Sequence, residues 1–275
     1  MGIFDTIKKR NNQIRFSAQR QAISAVSNAA VGLICAPPDL SKAKRVLFVQ
    51  PHPDDNQIGA GGTIAWLVSL GVEVWELTVT DDRYAVPEYI GKENEVETTR
   101  QKEALSAQQY LGMKNAGFLG FADKTRASVD EISQAILPVI REIKPDYVLT
   151  VDPNLATECH SDHIKVGTAV KYACMDALCN FYPEFQNGGF RDDTWRVKGI
   201  GFYYTDKPNT LIDIGEFEEK KMESIYLHKS QHDPVLNLAI RMQQQAFAKG
   251  TSFKACEPLR LISSLQMHCF NLPVE

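Results

Sequence analysis

Pro51-His52-Pro53-Asp54-Asp55 places an imidazole and two carboxylates directly after the apolar run Val46-Leu47-Phe48-Val49. A short apolar run bounded by proline reads as a buried strand, so these polar groups sit where the strand ends. A histidine beside carboxylates suits a zinc-type cation. Downstream, His160-Ser161-Asp162-His163 opens a helical pattern. Histidines at i and i+3 can turn to one side of a helix, and the two half-sites together suggest one metal centre. Taken singly, each motif also reads as a polar turn whose Asp caps a helix, or as ordinary residues at a helix start. Four such groups meeting at one edge favour the metal reading.

The elements that must position them alternate. The pattern predicts a strand over 45–50, a helix over 60–70 ended by Gly71, a strand over 72–80 and a helix over 97–111 ended by Gly112. A short apolar piece, Gly117-Phe118-Leu119-Gly120, reads as another strand, followed by a helix over 129–143, the breaker Pro145, a strand over 147–152 and a helix from about Ser161. Such alternation implies an α/β fold, a mostly parallel sheet with helices on both faces. Ligands of open sheets bind beyond the carboxyl ends of the strands. His52 to Asp55, Thr80-Asp81-Asp82 and the stretch from Asp152 to His163 all follow strand ends, so they face one crevice.

Gly59-Ala60-Gly61-Gly62 after the first strand loosely imitates a dinucleotide-binding turn. The third glycine of that fingerprint is absent, position 64 being Ile, and the turn carries carboxylates that oppose a pyrophosphate.

The chain has 275 residues, 44% of them hydrophobic, enough for one large or two modest domains with a normal core. With 30 Lys plus Arg against 34 Asp plus Glu there is no basic excess, which argues against a nucleic-acid partner. Six cysteines, at 35, 159, 174, 179, 256 and 269, show no short paired spacing and read as mostly buried thiols of a reducing, cytoplasmic setting. Cys159 is either a soft metal ligand or a neighbour of the second motif, and the neighbour reading is preferred. Residues after Lys8-Lys9-Arg10 are polar, unlike a secretory leader, Met1-Gly2 with Thr6 matches only loosely a myristoylation pattern, and no run is apolar enough to span a bilayer. Residues 1–40 read as a helical extension, with Ile14, Ala18, Ala22 and Val26 on one stripe, and 41–275 as a single α/β domain.

The blocks Pro51-His52-Pro53-Asp54-Asp55, Gly59-x-Gly61-Gly62-Thr63, Leu77-Thr78-Val79-Thr80-Asp81, Phe118-Leu119-Gly120-Phe121-x-Asp123 and His160-x-x-His163 resemble, in order and spacing, those of the LmbE-like, or GlcNAc-phosphatidylinositol deacetylase (PIG-L), family. The resemblance runs from about Arg45 to Gly167, and Lys220 to Gln231, with His228-x-Ser230-Gln231, is similar to a later block. It implies a Rossmann-like three-layer sandwich and a zinc-dependent hydrolase that removes N-acetyl groups from GlcNAc-type sugars or glycoconjugates. One Zn2+ per chain would be held by His52, Asp55 and His163, with water completing the shell. Asp54 matches the family's general base, and His160 the residue that stabilises or protonates the tetrahedral intermediate. Arg100 matches a position where the family often carries a substrate-contacting arginine, or is an exposed helical arginine in a salt bridge, and Asp82, at the end of the second strand, is the other candidate substrate-binding residue. A homo-oligomer is implied by the resemblance alone.

Asn56 departs from the family pattern, which usually has an acidic residue there. Asp162 either orients a neighbouring histidine or is a helix-start carboxylate. Residues 181–196 read as a long aromatic and glycine-rich loop, a packed insertion or a sugar-stacking wall. His228 and His232 read as helix-end histidines that face solvent or reach a site. Two other activities remain open: an amidase for a different N-acyl substrate, such as a thiol conjugate or secondary metabolite, and a non-catalytic metal- or sugar-binding protein.

Overall fold

The computed structural model describes residues 36–86, 91–180 and 193–268. All but the last five residues of the expected helical extension over 1–40, and most of loop 181–196, lie outside them. A single turn at Leu40–Lys42 precedes β1 (Arg45–Gln50), α1 (Asp55–Ser69), β2 (Glu73–Thr80), α2 (Glu93–Leu111), β3 (Lys114–Phe121), α3 (Val129–Ile143), β4 (Tyr147–Val151) and α4 (Ser161–Asp176). Then come β5 (Gly199–Tyr203), β6 (Thr210–Asp213), α5 (Glu218–Tyr226), a turn at Lys229–Gln231, α6 (Pro234–Ala248) and β7 (Cys256–Ser263).

The seven strands form one sheet in the order β3-β2-β1-β4-β5-β7-β6. The first five pair in parallel, with Val46 opposite both Val74 and Tyr147, while β7 runs antiparallel to β5 and β6. From β1 the chain winds outward to β2 and β3, then returns to place β4 on the other side of β1. The order therefore reverses between β1 and β4, where a doubly wound sheet opens its crevice.

The continuous apolar run of β1 is explained by helices on both faces. Val46 and Phe48 pack with Ile64 and Leu67 of α1, whereas Leu47 and Val49 pack with Ile132 and Ile136 of α3 and Val166 and Val170 of α4. Ser128 starts α3 with a capping box to Glu131, which satisfies orphan backbone donors at that end.

The expected helix over 60–70 begins five residues earlier, at Asp55, and its backbone breaks at Ala60 (φ −146°, ψ 18°). Buried Glu257 bonds the N–H groups of Gly62 and Thr63 that follow the break, and Lys221 balances its charge at 2.6 Å. The glycines there serve packing: a Cβ on Gly59 would meet the Tyr203 ring at 2.2 Å, and one on Gly62 would meet Ile214 at 2.7 Å. The helix expected over 97–111 likewise starts sooner, at Glu93, and the short apolar piece at 117–120 is part of an eight-residue edge strand. No helix among the described residues is long and apolar enough to cross a membrane.

Candidate metal centre

Three groups converge at the carboxyl ends of β1 and β4. The turn after β1 is closed by the His52 backbone N–H donating to Asp55 Oδ2 at 2.9 Å. That bond holds the Asp55 carboxylate between two imidazoles: His52 Nδ1 is 3.3 Å from Oδ2 and His163 Nε2 is 3.4 Å from Oδ1. His160 joins them, and ring nitrogens of His52, His160 and His163 lie within 4.8 Å of one another. A second donor group, His52 with Asp82 and Asp123, shares the first imidazole.

Each imidazole has a different partner on its other side. His163 Nδ1 donates to Glu158 Oε2 at 2.8 Å, which leaves the lone pair of Nε2 facing Asp55. His52 Nε2 faces Asp123 Oδ1 and Asp162 Oδ2, both at 3.5 Å, and makes no hydrogen bond. His160 caps α4, its Nδ1 accepting the Asp162 backbone N–H at 3.3 Å. In the neutral ring this puts the proton on Nε2. The helix-start reading thus holds for His160, while Asp162 is fully buried and serves His52 rather than its two sequence neighbours.

The electrostatics follow from that crowding. Burial works against charge on His52 and His163, but the carboxylates outweigh it: the facing carboxylates of Asp123, Asp162 and Asp55 push His52 far above the usual histidine range, and Asp55 chiefly raises His163 to about 9. Burial opposes charge on Asp55 too, yet His163 and His52 hold its carboxyl well below the usual range. His160 is lowered by burial and by its two cationic neighbours. Two imidazoles drawn toward a proton by buried carboxylates form a site that favours positive charge. A buried carboxylate flanked by two imidazole nitrogens is a nitrogen and oxygen donor set that fits a borderline divalent cation.

Asp54 stands apart from this cluster. Its side chain does not cap α1. Instead Oδ2 accepts from Arg100 Nη2 at 2.8 Å. Arg100 is fully buried, and its other donors go to Asp82 Oδ2 at 2.6 Å and Glu103 Oε2 at 2.8 Å. Ser230 donates to both Glu103 oxygens, and His228 Nδ1 lies 3.4 Å from Arg100 Nη1. The block around His228 and Ser230 therefore braces Arg100 from behind. Arg100 has no exposed surface and Asp82 little, and the two side chains bond each other at the back of the crevice. Burial, offset in part by Arg100, still raises Asp82 to about 6.

His228 is buried, and burial lowers it to about 4, whereas His232 is exposed beside Tyr226. Cys159 is exposed with its Sγ on the Thr157 carbonyl, as the neighbour reading expects. Asn56 donates to Glu76 at 3.0 Å and accepts from the Tyr203 hydroxyl at 2.8 Å. An acidic residue at 56 would face the buried Glu76 carboxylate, which explains the amide there.

Sequence reasoning missed Glu158 and Tyr204. Glu158 sits in an irregular loop, where periodicity gives no signal, and only its distance of five residues from His163 hinted at a contact. Tyr204 stacks on His163, with ring centroids 6.2 Å apart, and donates to the Asp55 carbonyl at 3.3 Å. Like Asp82 it holds a left-handed backbone, with φ of 54° against 55°, at the end of a strand beside the site.

Residues 47–174 match the family model described as GlcNAc-PI de-N-acetylase. The chain is 31% identical to diacetylchitobiose deacetylase of Thermococcus kodakarensis, over 82% of this chain and 85% of that one. It is 29% identical to a probable N-acetyl-alpha-D-glucosaminyl L-malate deacetylase 2 of Bacillus cereus, covering 70% and 86%. Among solved structures, N,N'-diacetylchitobiose deacetylase from Pyrococcus horikoshii matches with a TM-score of 0.75 and 28% identity over 83% of this chain and 87% of that one. The ordered motifs, the doubly wound sheet and the relatives agree, and the chain belongs to the PIG-L, or LmbE-like, GlcNAc-PI de-N-acetylase family.

Proposed function

We propose that this chain is a zinc-dependent deacetylase that hydrolyses the N-acetyl amide of a GlcNAc-type sugar or glycoconjugate. The observation that carries the reading is the Asp55 carboxylate held between His52 Nδ1 and His163 Nε2, with the Arg100-anchored Asp54 on the next residue.

We assign His52, Asp55 and His163 as the ligands of one cation per chain. Carboxylates lie behind both histidines, Glu158 behind His163 and Asp123 and Asp162 behind His52, which fixes the rings and raises their basicity. His160 lacks that support because its Nδ1 is spent on a backbone N–H. A divalent cation held there supplies Lewis acidity, drawing charge from an amide carbonyl and making a nearby water easier to deprotonate.

Asp54 takes the proton from the attacking water and returns it to the departing amine. Arg100 keeps that carboxylate aimed, so we assign it a positioning role, with Asp82 and Glu103 balancing its charge. His160 offers an Nε2–H to the carbonyl oxygen as negative charge develops there. Its lowered basicity suits a neutral donor at neutral pH.

The free thiols of Cys159, Cys174, Cys179 and Cys256 support a cytoplasmic setting. A panel of N-acyl amines incubated with zinc-loaded protein tests the substrate class. Acetate from N-acetylated sugars above all others supports the reading, and turnover confined to another acyl amide transfers the same site to a different amidase.

A further inference from the structure

A groove of about 580 Å3 opens beside the metal centre and shares its wall. Asp55, Glu158, His163 and Tyr204 line one part, and one face of α6 lines another. On that helix Leu236, Ile240, Gln244 and Phe247 recur at helical spacing and turn toward the groove, whose lining is mainly apolar. The volume lies within the roughly 300–1,000 Å3 of small-molecule sites, far more than an acetamido group occupies.

A second observation points to a ligand. The Gln244 side chain is buried, yet neither its amide nitrogen nor its amide oxygen has a hydrogen-bond partner. Buried amides are normally paired, so one aimed into a groove with donor and acceptor both unused is built to meet a group arriving from outside.

We propose that this groove is a second substrate subsite. It receives an apolar substituent carried by the N-acetylated amino sugar, with the Gln244 amide meeting a hydroxyl or amide on that substituent. The inference rests on the deacetylase reading and narrows it: the second sugar and the malate in the relatives' names are polar, whereas this groove is lined for a hydrocarbon arm.

The test compares the methyl and octyl glycosides of N-acetylglucosamine. Acetate release gives kcat and KM, and titration calorimetry of each glycoside gives affinity apart from turnover. Each methylene fully buried adds roughly fourfold in affinity, so partial burial of the octyl chain should lower its KM at least about tenfold below that of the methyl glycoside. Ala239→Trp fills the groove from an exposed position, and Phe247→Ala removes part of its wall. Both should raise the octyl KM toward the methyl value while leaving methyl kcat and KM unchanged, with thermal melts verifying that the variants fold. Equal KM for the two glycosides in the wild type, or equal effects of the variants on both, overturns the proposal. Absence of acetate from either glycoside counts against the deacetylase reading, and calorimetry then decides the groove alone. Octyl binding that weakens in Ala239→Trp upholds it, and octyl binding no tighter than methyl overturns it.

Discussion

Arg100→Met removes one fully buried cation and leaves Asp54, Asp82 and Glu103 converging on an apolar side chain. Methionine approximates the length of the stem, so the loss reports charge and hydrogen bonding more than a cavity. Breaking a buried ion pair by removing one partner costs roughly 3–5 kcal/mol, because the remaining charge stays buried. A chain of about this size shifts in Tm by about 2–4 °C per kcal/mol, so a fall on the order of 10 °C is expected at neutral pH. The loss must shrink on acidification. Asp82 is already raised to about 6 with Arg100 in place, and without it takes up a proton more readily, which relieves the repulsion. Calorimetric melts of wild type and variant at pH 5 and pH 8, with Arg100→Met/Asp82→Asn alongside, test this chain of reasoning. The double variant should recover part of the stability at pH 8. Activity should also fall while the bound metal stays near one per chain, because Asp54 is misplaced and His52, Asp55 and His163 are not. A loss below about 1 kcal/mol, equal at both pH values, would place the arginine among solvent-screened surface ion pairs and refute the argument.

Asp54→Asn should cut kcat by roughly 10²- to 10⁴-fold and leave metal content unchanged by elemental analysis. Glu158→Gln weakens the acceptor behind His163, and metal affinity by competition with a chelator should drop roughly 10- to 100-fold, with kcat at saturating metal affected less. Asn56→Asp places a carboxylate against Glu76, and denaturant melts at neutral pH should register a loss of about 2–3 kcal/mol that fades as the pH falls. In the metal-free protein His163 is raised from 6.5 to about 9, chiefly by Asp55 against the pull of burial. Its contribution to stability is therefore complete below the unfolded value and is lost as pH rises through about 9. The Tm gained on adding zinc should accordingly grow between those pH values, and a gain that shrinks over that window would count against His163 as a ligand.

Much of the parallel half of the sheet was legible because both faces are covered: β1 carries the unbroken apolar run Val46 to Val49, β4 is interrupted only by Thr150, and Gly112 marks a real helix end. Helix starts were less legible. The first turn of α1 holds Asp55, Asn56 and Gln57, buried polar residues whose partners come from distant strands and which carry no apolar period. The strands β5 and β6 were missed because they are short, with five and four residues, and β7 because it returns antiparallel after a long excursion. At the site, the histidines and paired aspartates were legible from residue type and position. The burial of Arg100 was not, since a lone arginine within a polar helix has the same pattern whether its partners are solvent or three carboxylates. Glu76 was a missed clue within a regular element, a charge inside an apolar strand, which in a covered sheet must find buried partners.

The central claim joins the metal centre to Asp54 in one deacetylation. It is met most directly by measuring acetate release from N-acetylglucosamine and its short oligomers with zinc-loaded protein, beside chelated protein and Asp54→Asn. Release in the first, with loss in both controls and metal still bound in Asp54→Asn, is the expected result. Undiminished release from the chelated protein or from Asp54→Asn, or none from a protein holding one zinc per chain, would contradict the account.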